Sequence, residues 1–162
     1  ATRRLACGEP LLVDWGACCR YYVSDLTRVF FLRRIDEPFA EIYGIVLQAQ
    51  ALAIAKVAPG RSLREVDLAA RDHIREKGYG DRFGHGTGHG IGREVHEGPV
   101  VREKSEGKME AGQVVTIEPG IYLPGKGGIR IEDDVLVTPS GGKVLSGYPK
   151  GLSQAVLGGG GR

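Results

Sequence analysis

GHGTGHGIGREVHEGP, residues 84–99, is the segment from which the rest of this chain can be interpreted. It contains three of the four histidines, His85, His89 and His96, and glycine occupies every second position over residues 84–92. Glycine loses more conformational freedom on folding than any other residue, so this run indicates that another group must approach the backbone closely. So much glycine disfavours a helix. We therefore expect an extended or looped segment that presents histidine side chains.

Outward from this segment, the sequence periodicity predicts an α+β fold. Residues 10–32 are rich in Val, Leu, Tyr and Phe and are typical of two strands around a turn. Apolar residues recur at helical spacing over 37–57, and a capping-box pattern at Ser62 indicates the start of a second helix. Residues 113–122 and 128–137 have the pattern of strands joined by a Pro/Gly turn. This order predicts a mostly antiparallel sheet covered by helices.

The composition argues against several classes of function. The 162 residues are 41% hydrophobic and 26% charged, with a net charge of +2, as in a soluble globular domain. No block of lysine and arginine stands out, so we expect no nucleic-acid partner. No apolar run is long enough to span a bilayer, so we expect no membrane partner. The three cysteines have neither disulfide-framework nor zinc-finger spacing, which favours the reducing cytoplasm.

Each of the two predicted hairpins opposes a pair of acidic residues. Asp14 and Asp25 are equidistant from a turn centred between positions 19 and 20, and Glu118 and Glu132 are equidistant from the middle of the second turn. Directly opposed like charges are destabilising. A misjudged register, with solvated acids, is the alternative interpretation. However, Asp14 and both glutamates follow buried-looking apolar runs, where a carboxylate must be paired or metal-bound to stay ionised.

These four carboxylates and one histidine would form an oxygen-rich site with room for two divalent ions. Such ligands suit Mn²⁺ first, with Fe²⁺, Co²⁺ or Zn²⁺ also possible. His85 and His89 have the i, i+4 spacing of helical zinc ligands, but no glutamate follows His85 and the glycines oppose a helix, so this alternative is weak. In an extended segment, His89 could bind metal while His85 and His96 face a substrate. Arg130 could neutralise and orient the carboxylates from behind, or form a surface salt bridge.

Four segments carry a resemblance to a known family: VDWG…YYVSDLTRVF, GHGTGHGIGREVHEGP, TIEPGIY and GIRIEDDV. In this order, and over nearly the whole chain, they look like the later part of the pita-bread metallopeptidases. SDLTR, HGTGH and RIED favour the aminopeptidase P and prolidase branch over the methionine aminopeptidases. That branch cleaves peptide bonds preceding proline, so the resemblance implies the pita-bread fold and a proline-containing peptide as substrate.

The resemblance also assigns roles to eight residues. The implied ligands of two divalent ions, with Asp25 and Glu132 bridging both, are Asp14, Asp25, His89, Glu118 and Glu132. Glu118 would also be the general base for a metal-bridging hydroxide. His96 would stabilise the oxyanion and His85 would contact the substrate near its proline side. Arg130 would lie behind the ligands.

Family members usually carry an N-terminal domain and the first part of the catalytic domain upstream of these motifs. We therefore expect residues 1–155 to form a partial catalytic domain, followed by a flexible Gly-rich tail at 156–162. We also expect a homo-oligomer, or association with the missing N-terminal portion of the same enzyme. The rival hypothesis is a non-catalytic binding module on the same fold, or an inactive truncated fragment. Creatinase-like hydrolysis without metal is a third, against which the four intact acids argue.

Overall fold

The computed structural model describes residues 2–158 and has the predicted α+β order of elements. The first strands and helices are β1 (Pro10–Trp15), β2 (Cys18–Cys19), β3 (Tyr22–Val23), β4 (Leu26–Leu32), α1 (Phe39–Ile54) and α2 (Leu63–Glu76). A 3₁₀ turn at Gly80–Arg82 leads to β5 (Gly88–Gly90), β6 (Glu97–Val101), β7 (Val114–Ile117), β8 (Gly120–Leu123), β9 (Gly127–Arg130), β10 (Asp133–Thr138) and β11 (Gly141–Val144). The last elements are α3 (Leu152–Ala155) and β12 (Val156–Leu157).

The strands form antiparallel sheets, as the sequence predicts. One sheet has the order β1-β4-β12 and the largest has the order β11-β10-β7-β5-β6. Two small hairpins, β2-β3 and β8-β9, complete the set among the described residues. In that part of the chain, the only parallel strand pairing is between β12 and β4.

The two helices form where the apolar periodicity predicts them and pack their apolar faces into the core. In α1, Ile42, Val46 and Ala49 are fully buried. The predicted apolar face of α2, Leu63, Val66, Ala70 and Ile74, is also buried. The backbone N–H of Ser62 donates to the Glu65 carboxylate at 3.3 Å, as a capping box requires. At the other end of α2, Gly78 has φ +84°, the left-handed conformation that ends a helix.

The glycines around His89 allow neighbouring strands to approach β5. A Cβ atom on Gly88 would lie 1.8 Å from the carbonyl oxygen of Thr116 in β7. A Cβ atom on Gly90 would lie 2.2 Å from the carbonyl oxygen of Gly98 in β6. The close approach that the glycine run indicates is therefore made by the sheet itself, which holds the strand carrying His89 between β6 and β7.

The strands predicted over 113–122 and 128–137 are each broken in two, and the breaks lie at Glu118 and Glu132. β7, the first half of the earlier predicted strand, pairs with β10, the second half of the later one, in the five-stranded sheet. The remaining halves, β8 and β9, form a separate hairpin. The backbone N–H of Glu118 donates to the Thr87 carbonyl at 2.7 Å, and that of Glu132 donates to the Thr27 carbonyl at 3.2 Å. Each glutamate therefore lies where the chain passes between sheets.

The register of the two acid-bearing hairpins differs from the prediction in one case. Gly120 pairs with Arg130, so Glu118 and Glu132 lie equally far beyond this pair, as predicted. In the first hairpin Asp14 pairs with Thr27, so its direct opposition to Asp25 is wrong. The turn is centred one residue later than predicted, which moves the partner of Asp14 by two positions. Asp25 is therefore its diagonal neighbour on the same face.

The C-terminal boundary of the folded region also differs from the prediction. The tail was expected to start at residue 156, but Val156 and Leu157 pair with Phe31 and Leu32 of β4. The rest of the predicted tail, residues 159–162, lies outside the described residues. Among the helices of residues 2–158, none combines the length and apolarity needed to cross a bilayer.

Candidate metal centre

Three separate parts of the fold bring metal-ligating side chains to one place. Asp25 precedes β4, His89 is the middle residue of β5, and Glu132 lies between β9 and β10. Each offers one ligand atom, and these atoms lie within 4.8 Å of one another. The Nε2 atom of His89 lies 3.8 Å from Oδ2 of Asp25 and 3.2 Å from Oε1 of Glu118. Four of the five predicted ligands are thus in direct proximity.

The fifth predicted ligand, Asp14, reaches this cluster through an arginine. Its carboxylate accepts a hydrogen bond from Nη2 of Arg130, and its side chain is 46% exposed. Arg130 is mostly buried, and its Nε lies 3.8 Å from Oε2 of Glu118. The guanidinium therefore lies between the carboxylates of Asp14 and Glu118. That Arg130 orients the metal ligands stays a prediction.

The protonation of the cluster reflects closely packed like charges. Burial raises the pKa of Glu132 to about 8, and the Glu118 carboxylate adds to this shift. Burial, followed by the Asp14 carboxylate, also raises the pKa of Asp25. Burial alone would lower the pKa of His89, but the hydrogen bond to Glu118 and the nearby carboxylates outweigh it and raise the pKa to about 9. A divalent cation would replace these shared protons, so the residues fit a metal site chemically.

Hydrogen bonds fix which ring nitrogen of His89 faces the acids. Its Nδ1 lies 3.1 Å from the carbonyl oxygen of Gly90, which can only accept, so Nδ1 carries the proton. Nε2 therefore points to Glu118 and Asp25. The backbone N–H of His89 donates to the Thr116 hydroxyl at 3.0 Å, and that hydroxyl donates to Glu118 at 3.1 Å. Such outer hydrogen bonds orient metal ligands.

The other two histidines of the segment line the same cleft. The His96 ring lies 4.4 Å from that of His89, measured between centroids. Nε2 of His85 lies 2.9 Å from the Tyr122 hydroxyl. The cleft has a volume of about 520 Å³, large enough for a small peptide, and its lining includes His85, His89, His96, Glu118, Arg130 and Arg102.

Two residues of the site, Thr27 and Tyr122, are absent from the sequence prediction. The Thr27 hydroxyl donates to the Glu132 carboxylate and accepts from Nε of Arg130 at 3.1 Å. The Tyr122 hydroxyl accepts from Nη1 of Arg130 at 3.3 Å and also bonds His85. Both lie within motifs already quoted, but neither is a usual metal ligand. Thr27 would have been found as the partner of Asp14 had the first turn been centred correctly.

A buried ion pair behind the acids also went unpredicted. Arg28 and Asp133 are 2.7 Å apart with side chains only 2% and 1% exposed. Arg28 also donates to the carbonyl oxygens of Thr27 and Glu132, which fixes the backbone at two site residues. Lys150 contacts the second carboxylate oxygen of Asp133. Charged residues in strands usually face solvent, so alternation alone gives no signal for such a pair.

Comparison with known proteins gives matches to metallopeptidases in sequence and in fold. Residues 1–139 match Metallopeptidase family M24. The chain is 47% identical over 145 residues to YqhT, an uncharacterized peptidase of Bacillus subtilis, covering 90% of this chain and 41% of that protein.

Solved structures give the same answer for the fold. The Xaa-Pro dipeptidase from Bacillus anthracis has a TM-score of 0.93 and 44% identity, over 97% of this chain and 44% of that one. The X-Pro aminopeptidase from Thermotoga maritima has a TM-score of 0.87 and 42% identity, over 90% of this chain and 41% of that one. The fold is the predicted pita-bread fold of these neighbours. The chain spans about two fifths of the length of each of these three proteins.

Proposed function

Since the chain belongs to metallopeptidase family M24, we propose that it forms the metal-binding part of a dinuclear exopeptidase. The reaction is hydrolysis of the peptide bond between an N-terminal residue and proline. The observation that carries this proposal is the convergence of Asp25, His89 and Glu132 with Glu118. Two of these residues, His89 and Glu118, line the cleft. No simple structural role accounts for so many acids in contact, because burying them together is costly without a cation.

We assign five side chains to hold two divalent ions: Asp14, Asp25, His89, Glu118 and Glu132. When bound, two such ions lower the pKa of a shared water and so supply a nucleophile near neutral pH. Four of the five ligands are carboxylates, which favours Mn²⁺, with Co²⁺, Fe²⁺ or Zn²⁺ able to substitute. For Asp14 to serve as a ligand, its carboxylate has to share its charge between the metal and Arg130.

Side chains of this chain would then transfer the proton and stabilise the oxyanion. Glu118 lines the cleft, and we assign it as the general base that carries a proton to the proline nitrogen as that nitrogen leaves. His96 packs beside His89 at the cleft and would donate a hydrogen bond to the oxyanion. His85 would contact the substrate on its proline side. Arg130, held by Tyr122 and Thr27, would keep Asp14 and Glu118 in place.

The substrate class follows from the neighbours, since both a dipeptidase and an aminopeptidase of Xaa-Pro type are similar to this chain. We propose proline-containing peptides as substrates and either a second copy or an N-terminal portion of the same enzyme as the protein partner. We place the reaction in the cytoplasm. All three cysteines, Cys7, Cys18 and Cys19, are free, which suits a reducing compartment.

Metal content and peptide hydrolysis test this function together. The chain is dialysed against Mn²⁺ and its bound metal is counted by elemental analysis. Release of the N-terminal residue is measured from Xaa-Pro dipeptides and from tripeptides with proline second. We expect two ions per chain and hydrolysis of Xaa-Pro but not Xaa-Ala bonds. Two bound ions without hydrolysis of either kind of peptide would contradict the catalytic proposal for this chain and favour the rival binding function. No bound metal would contradict the site itself.

A further inference from the structure

A buried ion pair in helix α2 lies outside the metal cluster yet reaches the same cleft. Asp67 is completely buried and Arg71 follows it one helical turn later. The pair is bidentate, with Nε of Arg71 2.7 Å from Oδ2 of Asp67 and Nη2 3.0 Å from Oδ1. Burying two charges is unfavourable unless further hydrogen bonds satisfy them. The partners of those further bonds therefore indicate what the pair does.

Within residues 2–158, every further side-chain hydrogen bond of this ion pair goes to the loop that precedes β5. Oδ1 of Asp67 accepts from the Thr87 hydroxyl at 2.8 Å and from the Thr87 backbone N–H at 3.1 Å. Nη1 of Arg71 donates to the Phe83 carbonyl at 3.0 Å, and Nη2 donates to the His85 carbonyl at 2.6 Å. The guanidinium also stacks 4.3 Å from the centroid of the Phe83 ring. Loop 83–87 is thus held at three of its five residues.

That loop controls two groups of the proposed active site. The His85 carbonyl is itself one of the two that Arg71 binds. The Phe83 ring packs edge-on against the His85 imidazole, with 5.0 Å between centroids. The Thr87 carbonyl accepts the backbone N–H of Glu118 at 2.7 Å. The ion pair on α2 is therefore linked to the substrate-facing histidine through the His85 carbonyl. It is linked to the proposed general base through the backbone of one residue, Thr87.

We propose that Asp67 and Arg71 are positioning residues, which act through His85 and Glu118 and do not touch substrate. This role rests on the proposed function, because it assumes that His85 and Glu118 take part in the reaction. A displacement of about 1 Å in an active-site group can cost about 100-fold in rate. Loss of this ion pair should therefore lower kcat while leaving the metal ligands Asp25 and Glu132 in place.

The same helix provides a matched control. Arg75 and Asp72 form an ion pair three residues apart on α2, with side chains 54% and 49% exposed. Neither hydrogen-bonds to loop 83–87. Asp67→Asn and Arg71→Lys are therefore compared with Asp72→Asn and Arg75→Lys, which are the same substitutions on the same helix. Thr87→Val is added as the mildest variant, because it removes one hydrogen bond and leaves the ion pair intact.

The experiment follows the His85 side chain by ¹H–¹⁵N NMR in the metal-free chain and kcat, KM and Mn²⁺ affinity in the loaded one. For Asp67→Asn and Arg71→Lys we expect shifted His85 ring resonances, with His73 of the same helix unchanged. We also expect kcat to fall about 10- to 100-fold and Mn²⁺ affinity to fall less, because Glu118 is only one of the five proposed ligands. Thr87→Val should give smaller changes in the same direction. Asp72→Asn and Arg75→Lys should leave the His85 resonances, kcat, KM and Mn²⁺ affinity unchanged.

A purely structural ion pair would give a different pattern. If Asp67→Asn lowers the melting temperature but His85 resonances and kcat are unchanged in the folded protein, the positioning role is overturned. If that variant does not fold, Arg71→Lys and Thr87→Val decide by the same criteria. Failure of the proposed function is recognised separately, as absence of Xaa-Pro hydrolysis in the unsubstituted chain, whereas the NMR comparison tests the positioning without activity.

Discussion

The two hairpins that bring acids to the site differ in burial and in how closely they follow the sequence pattern. Glu118 and Glu132 flank a hairpin whose neighbours Ile117, Ile121 and Ile129 are fully buried. The hairpin that carries Asp14 is more exposed, and its turn residues Arg20 and Tyr21 have φ angles of +50° and +66°. The buried hairpin has the predicted register, whereas the exposed one is shifted.

This difference shows what fixes strand register. A shift by one residue in the buried hairpin would turn its isoleucines out of the core, so burial holds the register. In the exposed hairpin the turn decides it, and Arg20 and Tyr21 are not residues that signal a left-handed conformation. The consequence for the site is that the acids of the second hairpin are enclosed, while Asp14 remains partly open to solvent.

The largest expected effect concerns the enclosed hairpin. Glu118→Gln keeps the shape of the side chain but removes the proposed general base, and we expect kcat for Xaa-Pro hydrolysis to fall by about 10²- to 10⁴-fold. The control is Glu110→Gln, an exposed glutamate upstream of β7, which should leave kcat unchanged. An equal kcat for both variants would contradict the assignment of Glu118 as the general base. It would also contradict the importance of the enclosed hairpin for catalysis.

The next effect concerns the buried ion pair between Arg28 of β4 and Asp133 of β10. Asp133→Asn leaves Arg28 buried without its charged partner, and loss of one partner of a buried pair costs about 3–5 kcal/mol. Urea denaturation measures the free energy of unfolding. Asp36→Asn breaks the exposed pair with Arg34 and should change the free energy of unfolding much less, because solvent screens that pair. If both variants lose a similar free energy of unfolding, the Arg28–Asp133 ion pair is not important for stability.

A smaller effect is expected at the exposed hairpin. Asp14→Asn should weaken Mn²⁺ binding by about 10- to 100-fold, because Asp14 reaches the cluster through Arg130 and remains half exposed. Glu132→Gln removes an enclosed ligand and should weaken binding more. Calorimetric titration of both variants with Mn²⁺ gives the comparison. If Asp14→Asn weakens Mn²⁺ binding as much as Glu132→Gln or more, the two hairpins do not differ in metal binding as the account expects.

The smallest effect is the pH dependence of the metal-free chain. Glu132 has a pKa of about 8 when folded against 4.5 normally, so the folded chain holds a proton that the unfolded chain releases between these values. The same holds for His89 between 6.5 and about 9. Stability therefore falls as pH rises from about 5 to 9, by at least about 1 kcal/mol, or about 2–4 °C in Tm. Thermal melts at several pH values measure this.

The matched variant for the pH prediction is Glu132→Gln, which should show a shallower fall, because the contributions of His89 and Asp25 remain while that of Glu132 is lost. Saturating Mn²⁺ should remove the fall, since metal binding requires both groups to be deprotonated. A metal-free chain whose Tm rises over this pH range would contradict the protonation described for the cluster.

Much of the fold and the site could be read from the sequence, for identifiable physical reasons. The apolar face of α2 and the hairpin around Gly125 follow from periodicity and burial. Asp25, His89, Glu118 and Glu132 come together, and the opposed acids of the two hairpins had indicated a shared acidic site. The full set of five ligands and the roles of His85, His96 and Arg130 came from resemblance and remain proposals.

The features that escaped prediction depend on contacts between distant parts of the chain. Thr27 and Tyr122 become site residues only because Arg130 lies between them. The breaks at Glu118 and Glu132 arise where the chain passes from one sheet to another, which the local pattern of β-branched residues does not reveal. Local periodicity determines where helices and strands form, whereas contacts between distant residues determine which of these elements are neighbours.

The most direct measurement is an anomalous difference map from crystals soaked in Mn²⁺, recorded on both sides of the manganese edge. Two peaks about 3.5–4 Å apart are expected. They should lie among Asp25, His89, Glu118 and Glu132, with the Asp14 carboxylate directed to one of them. No peak within reach of these side chains, or manganese bound only elsewhere, would contradict the metal centre on which the proposed peptidase depends.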